Sequence, residues 1–163
     1  MHKLNNKGDT IVEVLISLAI LSLAFAISYS TASRALELSQ NAQEHSTALG
    51  ILNKEIEMIW YESQPSNRGT STQTNIFNSS YFCLYDTETP GKVQVNYKLL
   101  NLSQTPANNS FPSVGCDFPG AGFNYRVIVY RNTDTFTAYI WWQGLGSLGV
   151  QSEHLSYRIY QNE

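Results

Sequence analysis

An uninterrupted apolar run at residues 14–27 constrains this chain more than any other feature of the sequence. Ser17 and Ser22 are its only polar residues, and a helix can satisfy both hydroxyls with carbonyl oxygens of the preceding turn. A helix over residues 10–29 would be about 30 Å long, which is the thickness of the hydrocarbon core of a bilayer. We therefore predict that this segment spans a membrane.

The basic residues beside this run predict its orientation. Lys3 and Lys7 precede the run, and no Lys or Arg follows Lys7 until Arg34. The positive-inside rule places the end with the nearer positive charge in the cytoplasm. We expect a single-pass protein of the cytoplasmic membrane, with a cytoplasmic N-terminus and an extracytoplasmic C-terminal domain.

One carboxylate, Glu13, stands at the start of the apolar run. A carboxylate in a spanning helix costs about 2.5–3.5 kcal/mol at mid-bilayer, so we expect Glu13 to have a partner group. If the helix were only an uncleaved membrane anchor, Glu13 would have no such partner. An ordinary secretory signal cut after Ala26 fits the basic start and the small residues Ala24 and Ala26. Against that alternative, Asp9 and Glu13 are acidic where a signal peptide is basic or apolar, and the helical pattern continues past Ala26.

The basic residues, Gly8 and the following TIVEVL run resemble the class III signal of type IV prepilins and pseudopilins. The resemblance implies that a prepilin peptidase cuts between Gly8 and Asp9 and then N-methylates the new first residue. Glu13 matches the glutamate at the fifth position of the mature chain in that family, where it serves assembly. The family usually has phenylalanine at the position of Asp9, so the resemblance supports cleavage more strongly than methylation.

The resemblance also implies the organisation of the whole chain. Residues 1–8 would be the leader, 9–30 the transmembrane and filament-core helix, 31–62 an amphipathic helix, and 63–163 a globular β-sheet domain. The expected fold is α+β and type IV pilin-like, with the long N-terminal helix packed on a C-terminal antiparallel sheet. The implied partners are other pilin subunits, prepilin peptidase, a membrane assembly platform, and the lipid bilayer before assembly.

A one-sided apolar pattern at residues 32–60 predicts that the helix continues out of the membrane. Its apolar residues form a stripe and recur at alternating spacings of three and four: Ala35, Leu38, Ala42, Leu49, Leu52, Ile56 and Ile59. His45 occupies the position of this pattern between Ala42 and Leu49. The opposite face carries polar residues: Arg34, Glu37, Gln40, Glu44, Lys54 and Glu57. We expect one helix over residues 10–60, with its stripe covered by a sheet or by neighbouring subunits. No proline precedes Pro65. Many major pilins of the family that the chain resembles have a proline soon after the membrane half, so the resemblance favours a minor subunit.

His45 invites an interpretation as a metal ligand, but a histidine in a helix–sheet seam is the simpler prediction. His2, His45 and His154 lie far apart in the sequence, and no Cys, His or Asp spacing matches a zinc site. We predict neither a metal ion nor a cofactor.

The remainder of the chain predicts a loop followed by five strands. Pro65 and Gly69 lie in the polar loop at residues 64–76, and residues 101–122 read as irregular. The predicted strands are residues 81–86, 93–99, 124–130, 135–142 and 155–160. A turn at Asn132-Thr133 and short connections make the last three strands antiparallel neighbours.

Aromatic residues dominate the penultimate predicted strand. The run of Trp141, Trp142 and Gly144, followed by a glycine-rich turn and a closing strand, resembles the C-terminal sheet of minor pilins related to pilus-modification proteins and of minor pseudopilins. Two roles are open for the aromatic residues of this strand: they form part of the core, or they form an exposed strip that binds sugars or bases. These residues are Phe136, Tyr139, Trp141 and Trp142. Neighbouring strand residues point to opposite faces, so at least one tryptophan is expected to pack on the helix.

Cys83 and Cys116 are the only cysteines. In an exported domain such a pair predicts a disulfide, which would contribute roughly 3–4 kcal/mol by closing a loop of this length. A thiol nucleophile is the alternative, although no recognisable histidine partner accompanies either cysteine.

The net charge and the sequence motifs limit the functional classes to which the chain could belong. The net charge is −3, and removal of Lys3 and Lys7 with the leader would make it −5. This balance argues against a general nucleic-acid binder. Neither a GxSxG motif nor a phosphate-binding glycine loop is present, so we do not expect an enzyme.

The leading hypothesis is a minor pilin or pseudopilin in a filament for adhesion, motility, DNA uptake or secretion. The alternative is a membrane-anchored extracellular binding module that does not polymerise.

Overall fold

The architecture is α+β, with a long N-terminal helix and a C-terminal antiparallel sheet. A computed structural model of the chain describes residues 9–64, 71–89, 92–104, 106–107, 110–120, 123–144 and 149–159. The chain divides into two compact units between Ala42 and Gln43.

Helix α1 covers Asp9–Ser63, which confirms the prediction of one continuous helix. Hydroxyl side chains in its apolar part bond to the helix itself: Ser22 donates to the carbonyl oxygen of Ala19 at 2.9 Å, and Ser28 donates to that of Ala24 at 2.8 Å. The part of α1 in the second unit, residues 43–63, packs on the sheet and is called the docking segment below.

A second helix, α2 (Ser71–Asn78), lies where a loop was predicted. Ile76 of this helix is fully buried, and the ring of Phe77 packs on that of Phe136 with centroids 5.4 Å apart. The prediction of a loop through residue 76 was wrong. This short helix has only two apolar residues, Ile76 and Phe77, and they are adjacent. Two adjacent residues show no helical periodicity, so the sequence pattern did not predict a helix here.

The sheet has six strands in the order β2-β1-β4-β5-β6, with β3 also paired to β4. All pairs are antiparallel. The strands are β1 (Tyr81–Thr89), β2 (Lys92–Leu99), β3 (Cys116–Gly120), β4 (Phe123–Asn132), β5 (Thr135–Gln143) and β6 (Val150–Arg158).

The predicted neighbours β4, β5 and β6 are confirmed, and three details differ. Strand β3 lies in the region predicted to be irregular, because the neighbouring β4 supplies its pairing partners. Strand β6 begins at Val150 rather than at residue 155, since Val150 still pairs with Gln143. The β4–β5 turn is Thr133-Asp134, one residue later than predicted, with Thr133 in the left-handed region at φ 54°.

The core lies between the docking segment and one face of the sheet. Alternate residues of β5 supply one side of it, namely Phe136, Ala138, Ile140 and Trp142. The docking segment supplies Ala48, Leu52, Met58 and Ile59 to the same cluster. This arrangement buries the aromatic residues of β5 that face the helix.

The buried face of the docking segment matches the predicted stripe only in part. Leu52 and Ile59 are buried as expected, but Leu49 is 45% exposed. Glu44 was predicted on the solvent face and is buried, as are Glu55 and Glu62. The sheet supplies hydrogen-bond donors to Glu44 and Glu55, which makes burial of these carboxyl groups possible.

Candidate functional site

The apolar part of α1 in the first unit is exposed along its whole length. Its large side chains from Ile11 to Ile27 are each more than half exposed. By length and composition this helix can cross a membrane. A contiguous apolar surface of this size requires lipid or protein to cover it.

Glu13 lies within this exposed apolar surface, two residues after Ile11. No partner for its carboxylate lies among the residues that the structure describes. Asp9 is the first residue of α1, while Gly8 lies outside the described residues. The predicted cleavage between Gly8 and Asp9 and the assembly role of Glu13 therefore stay predictions.

Glu44 and Trp142 form a buried polar contact at the start of the docking segment. The indole Nε1–H of Trp142 donates to Glu44 Oε2 at 2.9 Å. The hydroxyl of Tyr125 donates to the backbone carbonyl oxygen of Glu44 at 3.4 Å. Burial raises the pKa of Tyr125, a hydrogen bond with Thr47 opposes this rise, and the charge of Glu44 adds to it. The three residues fix the position of this helical turn on β4 and β5.

His45 lies in the same seam, as predicted. Its Nδ1 is 3.3 Å from Glu153 Oε1 on β6, and its ring meets Trp142 edge-on with centroids 5.1 Å apart. Both side chains are more than a third exposed, so the pair contributes at most about 1 kcal/mol. His45 is therefore a packing residue with one polar contact to β6.

Glu55 makes the second carboxyl contact between the docking segment and the sheet. The backbone N–H of Leu84 on β1 donates to Glu55 Oε1 at 2.7 Å, while Oε2 is buried without a hydrogen-bond partner among the described residues. Burial raises the pKa of Glu55 from its ordinary value of 4.5 to about 8, against smaller opposing effects of the Leu84 N–H and Lys54. Glu55 was not among the site residues predicted from the sequence. The spacing of three or four from Leu52 and Ile59 would have placed it on the buried face.

The aromatic residues of β5 divide between the two faces of the sheet. Trp142 faces the docking segment, whereas Trp141 stacks on Tyr139 with centroids 5.7 Å apart. Trp141, Trp142 and Phe136 are all fully buried, which confirms the core interpretation for these three residues. The alternative interpretation, an exposed aromatic strip that includes the two tryptophans, is wrong, because neither tryptophan ring is accessible to solvent.

The predicted disulfide between Cys83 and Cys116 is present, with the two Cα atoms 5.9 Å apart. It joins β1 to the first residue of β3. Arg126 of β4 holds the same region, because its Nε donates to Asp117 Oδ1 at 2.6 Å and its Nη1 donates to the carbonyl oxygen of Pro112. The disulfide excludes a free thiol nucleophile at either position.

Loss of the disulfide is expected to destabilise the sheet domain. Cys83→Ser should lower the free energy of unfolding by about 3 kcal/mol, because the unfolded chain gains the freedom of a loop with sequence separation 33. Thermal unfolding of the full chain in detergent micelles measures this loss. Wild-type protein under reducing conditions is the control and should unfold with the variant. Labelling of both cysteines in native, non-reduced protein would contradict the prediction.

Among the described residues, no group of three or more His, Cys, Asp or Glu side chains is arranged to hold a metal ion. Comparisons of the chain with models of protein families, with curated proteins and with solved structures found no match.

Proposed function

We propose that this protein is a structural subunit of a type IV filament, either a minor pilin or a pseudopilin. The observation that carries the proposal is the exposed apolar surface of α1, which contains a single carboxylate at Glu13. A bilayer would cover this surface before assembly, and helices of neighbouring subunits would cover it in a filament. The resemblance of the segment around Gly8 to a prepilin signal supports the second environment.

Glu13 distinguishes a filament subunit from a plain anchor. Lipid stabilises the apolar side chains of α1 but opposes a buried carboxylate. After removal of the leader, the amine of Asp9 on a neighbouring subunit would supply the opposite charge. Two unit charges about 5 Å apart attract by roughly 3 kcal/mol at an effective dielectric constant near 20. Such an attraction offsets much of the desolvation cost and sets the axial register of neighbouring helices.

The partners in this proposal are other pilin subunits, prepilin peptidase, a membrane assembly platform and, before assembly, the lipid bilayer. The subunit begins as a single-pass protein of the cytoplasmic membrane and ends in a cell-surface filament. The sheet domain serves as its extracytoplasmic part. Its disulfide supports that placement, since disulfides persist in oxidising compartments.

Processing of the N-terminus provides the first test. Mature protein should begin at Asp9, because Gly8 is the residue small enough to pass through the peptidase site. Intact-mass analysis of protein from membranes decides this, and one added methyl group would show that Asp9 is methylated. Gly8→Leu is the matched variant and should retain Met1. A wild-type start at Met1 would favour an uncleaved anchor, and a start at Ile27 would favour secretory cleavage.

A further inference from the structure

One backbone N–H of β1 bonds to a side chain of α1 instead of to a neighbouring strand. Strand β1 pairs with β4 only through Tyr81 and Phe82. Leu84 lies beyond these pairs, in the part of the sheet where β3 is the neighbour of β4. Its N–H donates to Glu55 Oε1 at 2.7 Å, so the helix supplies the acceptor. Leu84 directly follows Cys83, and the contact therefore fixes β1 beside the disulfide.

The surroundings of Glu55 contain little that would stabilise a negative charge. Glu55 is fully buried, and its Oε2 has no hydrogen-bond partner among the described residues. The charged group that acts on it is Lys54 of the same helix. Among the described residues, the other titratable groups in the helix–sheet seam are Glu44, His45 and Glu62 of α1, Glu153 of β6, and the tyrosines Tyr97, Tyr125 and Tyr157 of β2, β4 and β6. None of these tyrosines is a cation, and His45 contacts Glu153.

We propose that Glu55 is a proton-dependent latch between the docking segment and strand β1. As the neutral acid, Glu55 accepts the Leu84 N–H and holds the docking segment on the sheet. When it loses the proton, a charge with one unpartnered oxygen remains inside the apolar seam, and the closed state becomes less stable. Through this latch, the pH of the extracytoplasmic space would control how firmly the docking segment is held on the sheet.

The direction of the pH dependence follows from proton binding in the two states. The closed seam raises the pKa of Glu55 to about 8, whereas an opened seam returns it towards its ordinary value of 4.5. Between these values the closed state binds more protons than the open state, so opening becomes more favourable as pH rises. Below this window and above it, Glu55 contributes no further pH dependence.

Hydrogen exchange of the full chain in detergent micelles tests the latch. After correction for the intrinsic exchange rate, protection of the peptide containing Leu84 should fall with rising pH between about 5 and 8, by up to tenfold per pH unit. Glu55→Gln keeps an acceptor for Leu84 but has no titrating proton, so its protection should not depend on pH in this range. Glu57→Gln, an exposed position on the same helix, is the matched control and should behave as wild type.

Infrared spectroscopy gives an answer even if Glu55→Gln fails to fold. In a Glu13→Gln background, which removes the carboxyl group of the apolar segment, a protonated carboxyl band should persist at pH 7 and disappear as pH passes about 8. The same band should be absent from a folded Glu55→Gln variant in that background. A spectrum with only ionised carboxylates at pH 6.5, or wild-type protection that is independent of pH, would overturn the proposal.

Discussion

Trp142→Ala is expected to give the largest loss of stability of any single change proposed for the sheet domain, about 4–8 kcal/mol. Trp142 is fully buried in the core, and removal of a buried tryptophan typically costs about 3–5 kcal/mol. The change also takes the indole donor from the buried Glu44 carboxyl group, which adds about 1–3 kcal/mol. A domain of ordinary stability, about 5–15 kcal/mol, would lose a large part of its total. Near-ultraviolet circular dichroism during denaturant unfolding measures the loss.

The neighbouring tryptophan offers a matched control for the hydrogen bond. Trp142→Phe keeps most of the ring volume but removes the donor to Glu44. Trp141→Phe instead removes a buried indole Nε1–H that has no hydrogen-bond partner among the described residues. Trp142→Phe should therefore cost about 2–3 kcal/mol. Trp141→Phe should cost clearly less, because it also removes an unsatisfied polar group. Equal losses in the two variants would show that the Glu44 contact contributes nothing.

Glu13→Ala is expected to have the largest effect on assembly. The variant should still be cleaved after Gly8 and inserted in the membrane, but its amount in sheared filaments should fall at least tenfold, because assembly loses the attraction to the amine of Asp9. A tenfold change corresponds to about 1.4 kcal/mol, well within the roughly 3 kcal/mol of the proposed pair. Immunoblotting of sheared and membrane fractions measures the ratio. Glu37→Ala, an exposed position farther along α1, is the control and should assemble normally.

Asp9 provides a second arm for the same experiment. Its side chain could partly neutralise its own amine and so reduce the dependence on Glu13. Asp9→Phe alone and together with Glu13→Ala completes a double-mutant cycle. The cost of Glu13→Ala should be larger in the Asp9→Phe background. Wild-type incorporation of Glu13→Ala in both backgrounds would show that charge pairing has no part in assembly.

Long periodic elements were the predictable part of this fold. Helix α1 follows from an apolar run that continues into a one-sided pattern without proline, and strands β1, β2, β4 and β5 follow from alternation between turn residues. The disulfide followed from two cysteines in a domain that was predicted to be exported. These signals are local or depend on pairing just two residues, so the sequence alone contains them.

The rest depends on contacts between distant residues. Glu44 and Glu55 look solvent-facing by residue type, and their burial depends on donors 98 and 29 residues away, Trp142 Nε1 and Leu84 N. Strand β3 depends on its pairing with β4 rather than on a pattern of its own. In the candidate site, the sequence alone singles out Glu13, because a carboxylate in an apolar run is unusual, and its assembly role stays a prediction. The Glu55 contact was not, because no sequence rule predicts that a helix side chain bonds to a strand backbone.

Recovery of the wild-type protein from sheared cell-surface filaments tests the central claim most directly. Filaments from the native host, washed free of membrane, are analysed by mass spectrometry for this chain and for its N-terminal peptide. Assembly as a type IV filament subunit predicts that the chain copurifies with the filaments and that its N-terminal peptide begins at Asp9. A chain found only in the membrane fraction while filaments are abundant would contradict that claim and would favour the anchored binding module.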